Sequence, residues 1–347
     1  MNVLLGFALA WLVFVVLHRL FSGRFWLWLL PDLIPPVSYV AVPLVLLAIS
    51  VPAAQHWTTA VALSAGLLGV GHSGLNRHGL VRSASGPGAV RVLSWNTEYW
   101  DQADTAKGLY EFLKAKNADI YVLQECLHGV HVDPRPVADL RLDTEFPEYH
   151  IAAAGELVTL SRFPIVSPPT TGTSWRTEYD TIKMLRTDIQ LDNGILSVYN
   201  VHIPVQFVRD DKVFTRDFYT RLRQRNLHRK AQFDGLRADI EANPNPVLVT
   251  GDFNSTGAMG DLRWLRNRLT SANSAARRCW PASWPAHGMA LWQLDWTFTR
   301  GLRVHRYEFH DPHGISDHRT QELHICMGGT NHDRSSASAA VSAGPDQ

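Results

Sequence analysis

Residues 247–255 read Val-Leu-Val-Thr-Gly-Asp252-Phe-Asn254-Ser, a β-branched apolar run that ends in an acid and an amide. A short apolar run bounded by turn residues reads as a buried strand, so Asp252 and Asn254 are expected together at a strand's C-terminal end. Four other segments repeat the pattern: Val-Leu-Ser-Trp-Asn96-Thr-Glu98, Ile-Tyr-Val-Leu-Gln124-Glu125, Ser-Val-Tyr-Asn200-Val-His202 and Gly-Ile-Ser316-Asp317-His318. One Gly-Asp-Phe-Asn alone is as readily a turn, with Asp and Asn serving local backbone hydrogen bonds. Five polar strand ends in one chain argue for a shared site.

Spacing between these segments gives a layered α/β domain. Ala106, Leu109, Tyr110 and Leu113 stand at i, i+3, i+4 and i+7, an apolar helix stripe, and Asn117 is a suitable stop. Strand 90–95, helix 104–116 and strand 119–123 then form a βαβ-like start. A second helix is expected over 216–241, ending before Asn243-Pro244 and feeding the strand at 246–250. Further strands are expected at 157–161, 182–191, 195–201, 293–299 and 321–326. The helix at 216–241 carries Arg216, Arg221, Arg223, Arg225, Arg229, Lys230 and Arg237. A solvated face is its default reading, and attraction to anionic lipid headgroups is the alternative.

The five motifs, in this order, resemble the endonuclease/exonuclease/phosphatase superfamily over roughly residues 88–327. The resemblance implies a two-sheet α/β sandwich and divalent-metal-dependent hydrolysis of phosphate esters. Phosphate diesters and anhydrides repel nucleophiles through their own negative charge. Hard Mg²⁺ or Mn²⁺ on one or two carboxylates neutralises that charge while keeping positions for water and phosphate. Glu125 is the leading ligand, because a buried acid without a cationic partner is costly. Glu98 stands two residues after Asn96, where the family often has an acid, and is expected to hold metal directly or through water.

By the same resemblance Asn96 and Asn254 orient phosphate and nucleophile, Asp252 activates the attacking water, and His202 contacts phosphate. Asp295, in Leu-Asp-Trp-Thr-Phe, matches the acid that hydrogen-bonds His318. A carboxylate partner fixes an imidazole's tautomer and raises its pKa, suiting it to stabilise a pentavalent transition state. Asp317 is a further candidate ligand, and the general base lies between Asp252 and His318. The family commonly has Pro soon after Ser-Asp-His; here Arg319-Thr320 follows, which puts the next strand in question.

Composition adds a second region. Residues 1–90 contain no Lys or Glu, and Asp32 is their only acid. An uncharged apolar run lies at 3–17 and ends at His18-Arg19, so that a span requires extension through Phe21, and further apolar runs lie within 33–52 and 57–75. A span needs about 20 mostly apolar residues. Trp11, Trp26, Trp28 and Trp57 suit interfacial belts. We therefore expect a membrane region at 1–82 with three spans, a linker at 83–89, the enzyme domain at 90–327 and a disordered tail at 328–347. A cleaved signal peptide is the rival for the first run, but it lacks a basic n-region.

The same features also resemble membrane phosphatases of the VanJ type, through the three apolar runs, Gly-Asp-Phe-Asn-Ser-Thr, and Trp-Pro-Ala at 284–286. That resemblance implies a lipid-linked substrate such as a polyprenyl pyrophosphate, and an enzyme domain outside the cytoplasm. Arg19, Arg24, Arg77 and Arg82 argue for the opposite side by the positive-inside rule; the weight leans to the resemblance. Three cysteines, Cys126, Cys279 and Cys326, do not all pair and leave the compartment open. A net charge of +1 lacks the broad basic footprint of a committed nucleic-acid binder. A membrane-tethered nuclease or phospholipid phosphodiesterase is the alternative function, and an inactive scaffold the third. Substrate choice is assigned to loops 126–156, 167–181 and 203–216. Protein partners are not indicated.

Overall fold

Strands buried on both faces read as near-continuous apolar runs rather than alternating ones, and the motif strands are of that kind, with a few buried polar residues such as Ser94, Ser197 and Thr250. A computed structural model describes residues 3–76, 89–100, 106–128, 135–136, 142–171, 183–206, 212–213, 215–286 and 288–328. The expected linker at 83–88, the start of the first domain helix at 104–105, the tail at 329–347 and parts of the three named loops lie outside them.

Three apolar helices come first: α1 (Val3–Phe21), α2 (Ser38–Ser50) and α3 (His56–Gly69). The domain then runs β1 (Val90–Asn96), α4 (Ala106–Lys116), β2 (Ile120–Gln124), β3 (Leu127–His128), β4 (Arg135–Pro136), α5 (Leu142–Glu145), β5 (His150–Ala154), β6 (Leu157–Ser161) and β7 (Thr170–Thr171). It continues with β8 (Met184–Leu191), β9 (Gly194–His202), α6 (Arg216–Ala242), β10 (Val247–Asp252), α7 (Arg263–Arg268), β11 (Thr270–Ser271), β12 (Asp295–Arg300), β13 (Leu302–His310) and β14 (Thr320–Met327).

Two six-stranded sheets form, in the orders β13-β14-β1-β2-β6-β5 and β11-β12-β10-β9-β8-β7. Val92, Ile120, Val122, Leu196, Val198, Leu248, Leu323 and Ile325 fill the space between them. Leu93, Trp95, Tyr121 and Leu123 point outward from the first sheet against Leu109 and Leu113 of α4. Tyr199, Val247 and Val249 point outward from the second against Leu236 and Ile240 of α6. This is the expected two-sheet sandwich with helices outside. Each sheet has one parallel pair at its centre, β1 with β2 and β9 with β10.

The helix stripe behaves as expected, with Leu109, Tyr110 and Leu113 buried; the Ala106 side chain lies outside the described set. Asn117 ends α4 in the left-handed region, at φ 49°. One reading of α6 needs correction: Arg229 is not on a solvated face but 1 % exposed. Where Pro was expected, the Arg319 backbone N–H donates to Ser283 O at 3.0 Å, and the strand put in question forms, β14 following from Thr320.

Of the first three helices, only α1 is by itself long and apolar enough to cross a membrane. The second and third apolar runs fold as helices of 13 and 14 residues, about 20 Å each at 1.5 Å per residue and short of a hydrocarbon core of about 30 Å. The short helical stretches within Trp26–Leu33 and α2 pass together only as one segment bent by 58°. Among the described residues, 17 of the 22 exposed large apolar side chains lie between Val3 and Leu75. That concentration distinguishes the surface of the N-terminal region from that of the sandwich.

Candidate active site

The two central parallel pairs end at the same edge of the sandwich, so polar residues at four strand ends converge there. Register does the alignment. Asp252 pairs laterally with His202 on β9 and with Asp295 at the start of β12, and Asn96 lies beside Gln124, which Glu125 follows. Gly251 makes the close approach possible: its φ is +143° and a Cβ there would lie 2.0 Å from Val201 O.

Side chains turn into the cleft where the backbone leaves the strand. Glu98, Glu125 and Asn254 all adopt positive φ, at 48°, 54° and 44°, a conformation that costs on the order of 1–3 kcal/mol for non-glycine residues. Local bonds hold it. The Asn254 N–H donates to Asp252 Oδ1 at 2.7 Å, and the Glu98 N–H to Asn96 Oδ1 at 3.0 Å. Thr97 Oγ1 donates to Gln124 O and Glu125 O.

All nine expected site residues meet. Asn96 Nδ2 donates to Glu125 Oε1 at 3.0 Å and to Asp252 Oδ2 at 3.1 Å, joining the two sheets. Asn254 Nδ2 donates to Asp252 Oδ2 at 3.1 Å and to Ile203 O at 2.9 Å. His202 Nε2 lies 3.5 Å from Glu125 Oε1 and 3.8 Å from Asp252 Oδ2. His318 mirrors it, with Nδ1 2.9 Å from Asp295 Oδ2 and Nε2 3.8 Å from both Asp252 Oδ2 and Asp317 Oδ1. Glu98 Oε2 accepts from the Asp317 N–H at 2.6 Å. Asn200, by contrast, faces the core, where its amide bonds Gln124, Leu123 O and Val158 O and ties the sheets together.

Both histidines are biased toward the charged form. Burial opposes the charge on His318, yet Asp295 and Asp252 outweigh it and hold its pKa well above the usual imidazole value. Burial likewise opposes His202, and Glu156 reverses the balance. Asp252 moves the other way: burial raises its pKa, and Asp295 adds to the rise while His318 and His202 resist it. Burial also raises Glu125 and Glu98, the latter with further repulsion from Asp317 and Glu125.

Sequence reasoning missed four residues. Glu156 accepts from His202 Nδ1 at 2.8 Å and pairs with Lys183. Burial works against its charge, but Lys183 and His202 depress its pKa to about 2. A single Glu after Gly155 reads as surface, and only its 3 % exposure reveals the role. Trp284 Nε1 donates to Asp317 Oδ2 at 2.7 Å, and Ser283 Oγ accepts from the Asp295 N–H at 3.1 Å. Trp284 begins the noted Trp-Pro-Ala and Ser283 precedes it, which was the available signal.

Two donor sets are candidates for a cation. Ligand atoms of Asp252, Asp295 and His318 lie within 4.8 Å of one another. There, however, Asp295 Oδ2 and His318 Nδ1 are committed to each other at 2.9 Å. Glu98, Glu125 and Asp317 are the second set: all hard oxygen donors, each only partly buried, with Glu98 raised by burial and then by repulsion from Asp317 and Glu125, although their ligand atoms do not all lie within 4.8 Å of one another. A hard divalent cation would relieve that repulsion and matches the oxygen chemistry, so by donor type these residues fit one.

Comparison with known proteins agrees with this fold. A sequence model of the "Endonuclease/Exonuclease/phosphatase family" matches residues 93–318. No curated protein matches in sequence. Among solved structures, a family protein from Leptotrichia buccalis C-1013-b is similar at 15 % identity and TM-score 0.51, covering 69 % of this chain and 100 % of its own. Truncated TDP2 of Caenorhabditis elegans is similar at 18 % identity and TM-score 0.51, covering 70 % and 99 %. An endonuclease/exonuclease/phosphatase from Bacteroides vulgatus is similar at 18 % identity and TM-score 0.50, covering 69 % and 99 %. At these identities the likeness concerns fold.

Proposed function

The chain belongs to the endonuclease/exonuclease/phosphatase family, and from that premise we propose that it is a membrane-anchored, Mg²⁺- or Mn²⁺-dependent hydrolase of a lipid-linked phosphate such as a polyprenyl pyrophosphate. Members of the family are nucleases, phosphatases and phosphodiesterases. The observation that carries the lipid reading is the exposed apolar surface of the first three helices, joined to the loop that follows Asp252 and Asn254 through His18–Ala258 and Ser22–Gly260 hydrogen bonds. A cleaved signal peptide would abandon those buried bonds, which favours a retained anchor. Confinement at a bilayer raises encounter with a lipid headgroup and lowers it with chromosomal DNA.

In this reading Glu125, Glu98 and Asp317 would hold the cation, which would supply charge neutralisation at the phosphate. The chain's own residues do the rest. Asp252, with its elevated pKa and position between the two histidines, accepts a proton from the attacking water. Asn96 and Asn254 each hold an Asp252 oxygen and keep that carboxylate aimed into the cleft. His202 and His318, charged through Glu156 and Asp295, present Nε2–H donors where negative charge accumulates on the phosphoryl oxygens.

The test is phosphate release from a polyprenyl pyrophosphate by detergent-purified full-length protein, with Mg²⁺ or EDTA, beside an Asp252→Asn control and a plasmid-nicking lane. Metal-dependent release that is lost in the variant, without nicking, is expected. Nicking without release would replace the lipid reading with a tethered nuclease.

A further inference from the structure

The loop after Asn254 is gripped from two sides. From α6, the buried Arg229 donates through Nη2 to Ser255 Oγ and to Asp261 Oδ2, both at 2.7 Å, and through Nη1 to Pro204 O at 2.5 Å. Ser255 adjoins Asn254, and Pro204 lies two residues past His202, so one guanidinium fork fixes both chain segments that enter the site. An Arg fork suits this because its donors are preorganised in a plane.

From the other side comes the turn that closes α1. The Gly260 N–H donates to Ser22 Oγ at 2.8 Å, and Ser22 Oγ donates onward to the buried Asp32 Oδ1 at 2.7 Å. His18 Nε2 lies 2.9 Å from Ala258 O. The two backbones are in direct contact. A Cβ on Gly260 would lie 2.0 Å from Ser22 O, and one on Gly23, whose φ is +72°, would lie 2.5 Å from the Gly260 carbonyl carbon. A plain tether needs neither paired glycines nor buried polar bonds to the segment it carries.

We propose that the Ser22–Gly23 turn of the first apolar helix is a positioning element of the active site, which together with Arg229 fixes loop 255–261 and thereby Asn254 and Asp252. For its activity arm the inference rests on the hydrolase reading above. The helix is then part of the catalytic apparatus, and its seating in the bilayer sets the geometry of the site.

Full-length protein in detergent tests this with Gly260→Ala, which drives the two backbones apart, and Ser22→Ala, which removes both hydrogen bonds of Ser22 Oγ, to Gly260 and to Asp32, without a clash. Turnover is read with Mg²⁺ on bis(p-nitrophenyl) phosphate and on polyprenyl pyrophosphate, and amide hydrogen exchange over residues 253–262 is followed alongside. Gly260→Ala is expected to lower kcat about tenfold or more on both substrates, on the scale of a misplaced catalytic group. KM and half-saturating Mg²⁺ should stay within about twofold, while exchange quickens in 253–262 and β1, β2 and β10 stay protected. Ser22→Ala should show the same pattern, about threefold in kcat. Faster exchange with unchanged kcat would reduce the contact to packing and overturn the proposal. If Gly260→Ala loses protection throughout, Ser22→Ala decides, and unchanged kcat there overturns it. Wild-type protein inert on both substrates would defeat the hydrolase reading instead; exchange then decides, with no quickening over 253–262 in either variant counting against the turn.

Discussion

Asp295→Asn isolates the charge behind His318. The Asp295 carboxylate is fully buried, accepts from His318 Nδ1 at 2.9 Å, and is among the largest influences that keep the imidazole charged. Removing one partner of a buried ion pair costs about 3–5 kcal/mol, many times thermal energy and enough to reverse which form of the imidazole dominates near neutral pH. The amide preserves shape but not charge, so the His318 pKa falls and its Nε2 loses the proton that faces Asp252. A lost acid/base or donor function lowers kcat by about 10²–10⁴-fold. The assay is kcat/KM against pH on a diester at saturating Mg²⁺. The alkaline limb should move to lower pH, because a group with a lowered pKa deprotonates earlier. Stability should follow the same linkage. With a raised folded pKa, His318 contributes stability that is complete below about pH 6.5, its unfolded value, and is lost as pH rises through the folded value. The melting temperature of the variant should therefore fall furthest on the acid side of neutrality. A profile lowered in height but unchanged in position would refute a charged His318 in the reaction.

Glu125→Gln should raise the Mg²⁺ needed for half-maximal activity, with partial rescue at high Mg²⁺; a variant that extra metal cannot restore at all would remove Glu125 from the ligand set. Glu156 has its folded pKa depressed to about 2, so its contribution to stability is present above about pH 4.5 and is lost as pH falls toward about 2. Chemical denaturation of Glu156→Gln should show a deficit against wild type at neutral pH that shrinks over that acid window; a constant deficit would mean that the Lys183–Glu156–His202 charges do not matter. Cys279 is exposed while Cys126 is buried, which makes Cys279 a reporter of sidedness. A membrane-impermeant maleimide should label it in intact cells if the enzyme domain is extracytoplasmic, and labelling only after permeabilisation would put the domain inside.

The central strands and the nine site residues were legible because each motif couples an unbroken apolar run to a polar end, and the fold brings such ends to one edge. Elements that lack this coupling escaped. The β13 strand has apolar Leu302, Val304, Tyr307 and Phe309, but a bulge between Val304 and Arg306 breaks the alternation. The His-Ile-Ala-Ala-Ala of β5 carries alanines that favour helix, and only pairing with β6 makes it a strand. Arg229 was lost among the arginines of α6 because charge alone does not show which guanidinium faces inward. Its three acceptors, Pro204, Ser255 and Asp261, lie 25 to 32 positions away. Glu156 was hidden for a similar reason, since its partner His202 is 46 positions off.

The first strand of the domain, β1, sits at the centre of its sheet with the last strand, β14, as one neighbour. Ser316 Oγ reaches Asn96 O, and Trp95 Nε1 reaches His318 O, across 220 and 223 positions. A ribosome must therefore release nearly the whole domain before Asn96 at the polar end of β1 and the histidine before β14 can share a cleft. Such distant pairing slows folding. Fragments that stop short of residue 318 lack its imidazole and leave β1 with an open edge, so the proposed hydrolase would stay chemically silent until the domain is nearly complete.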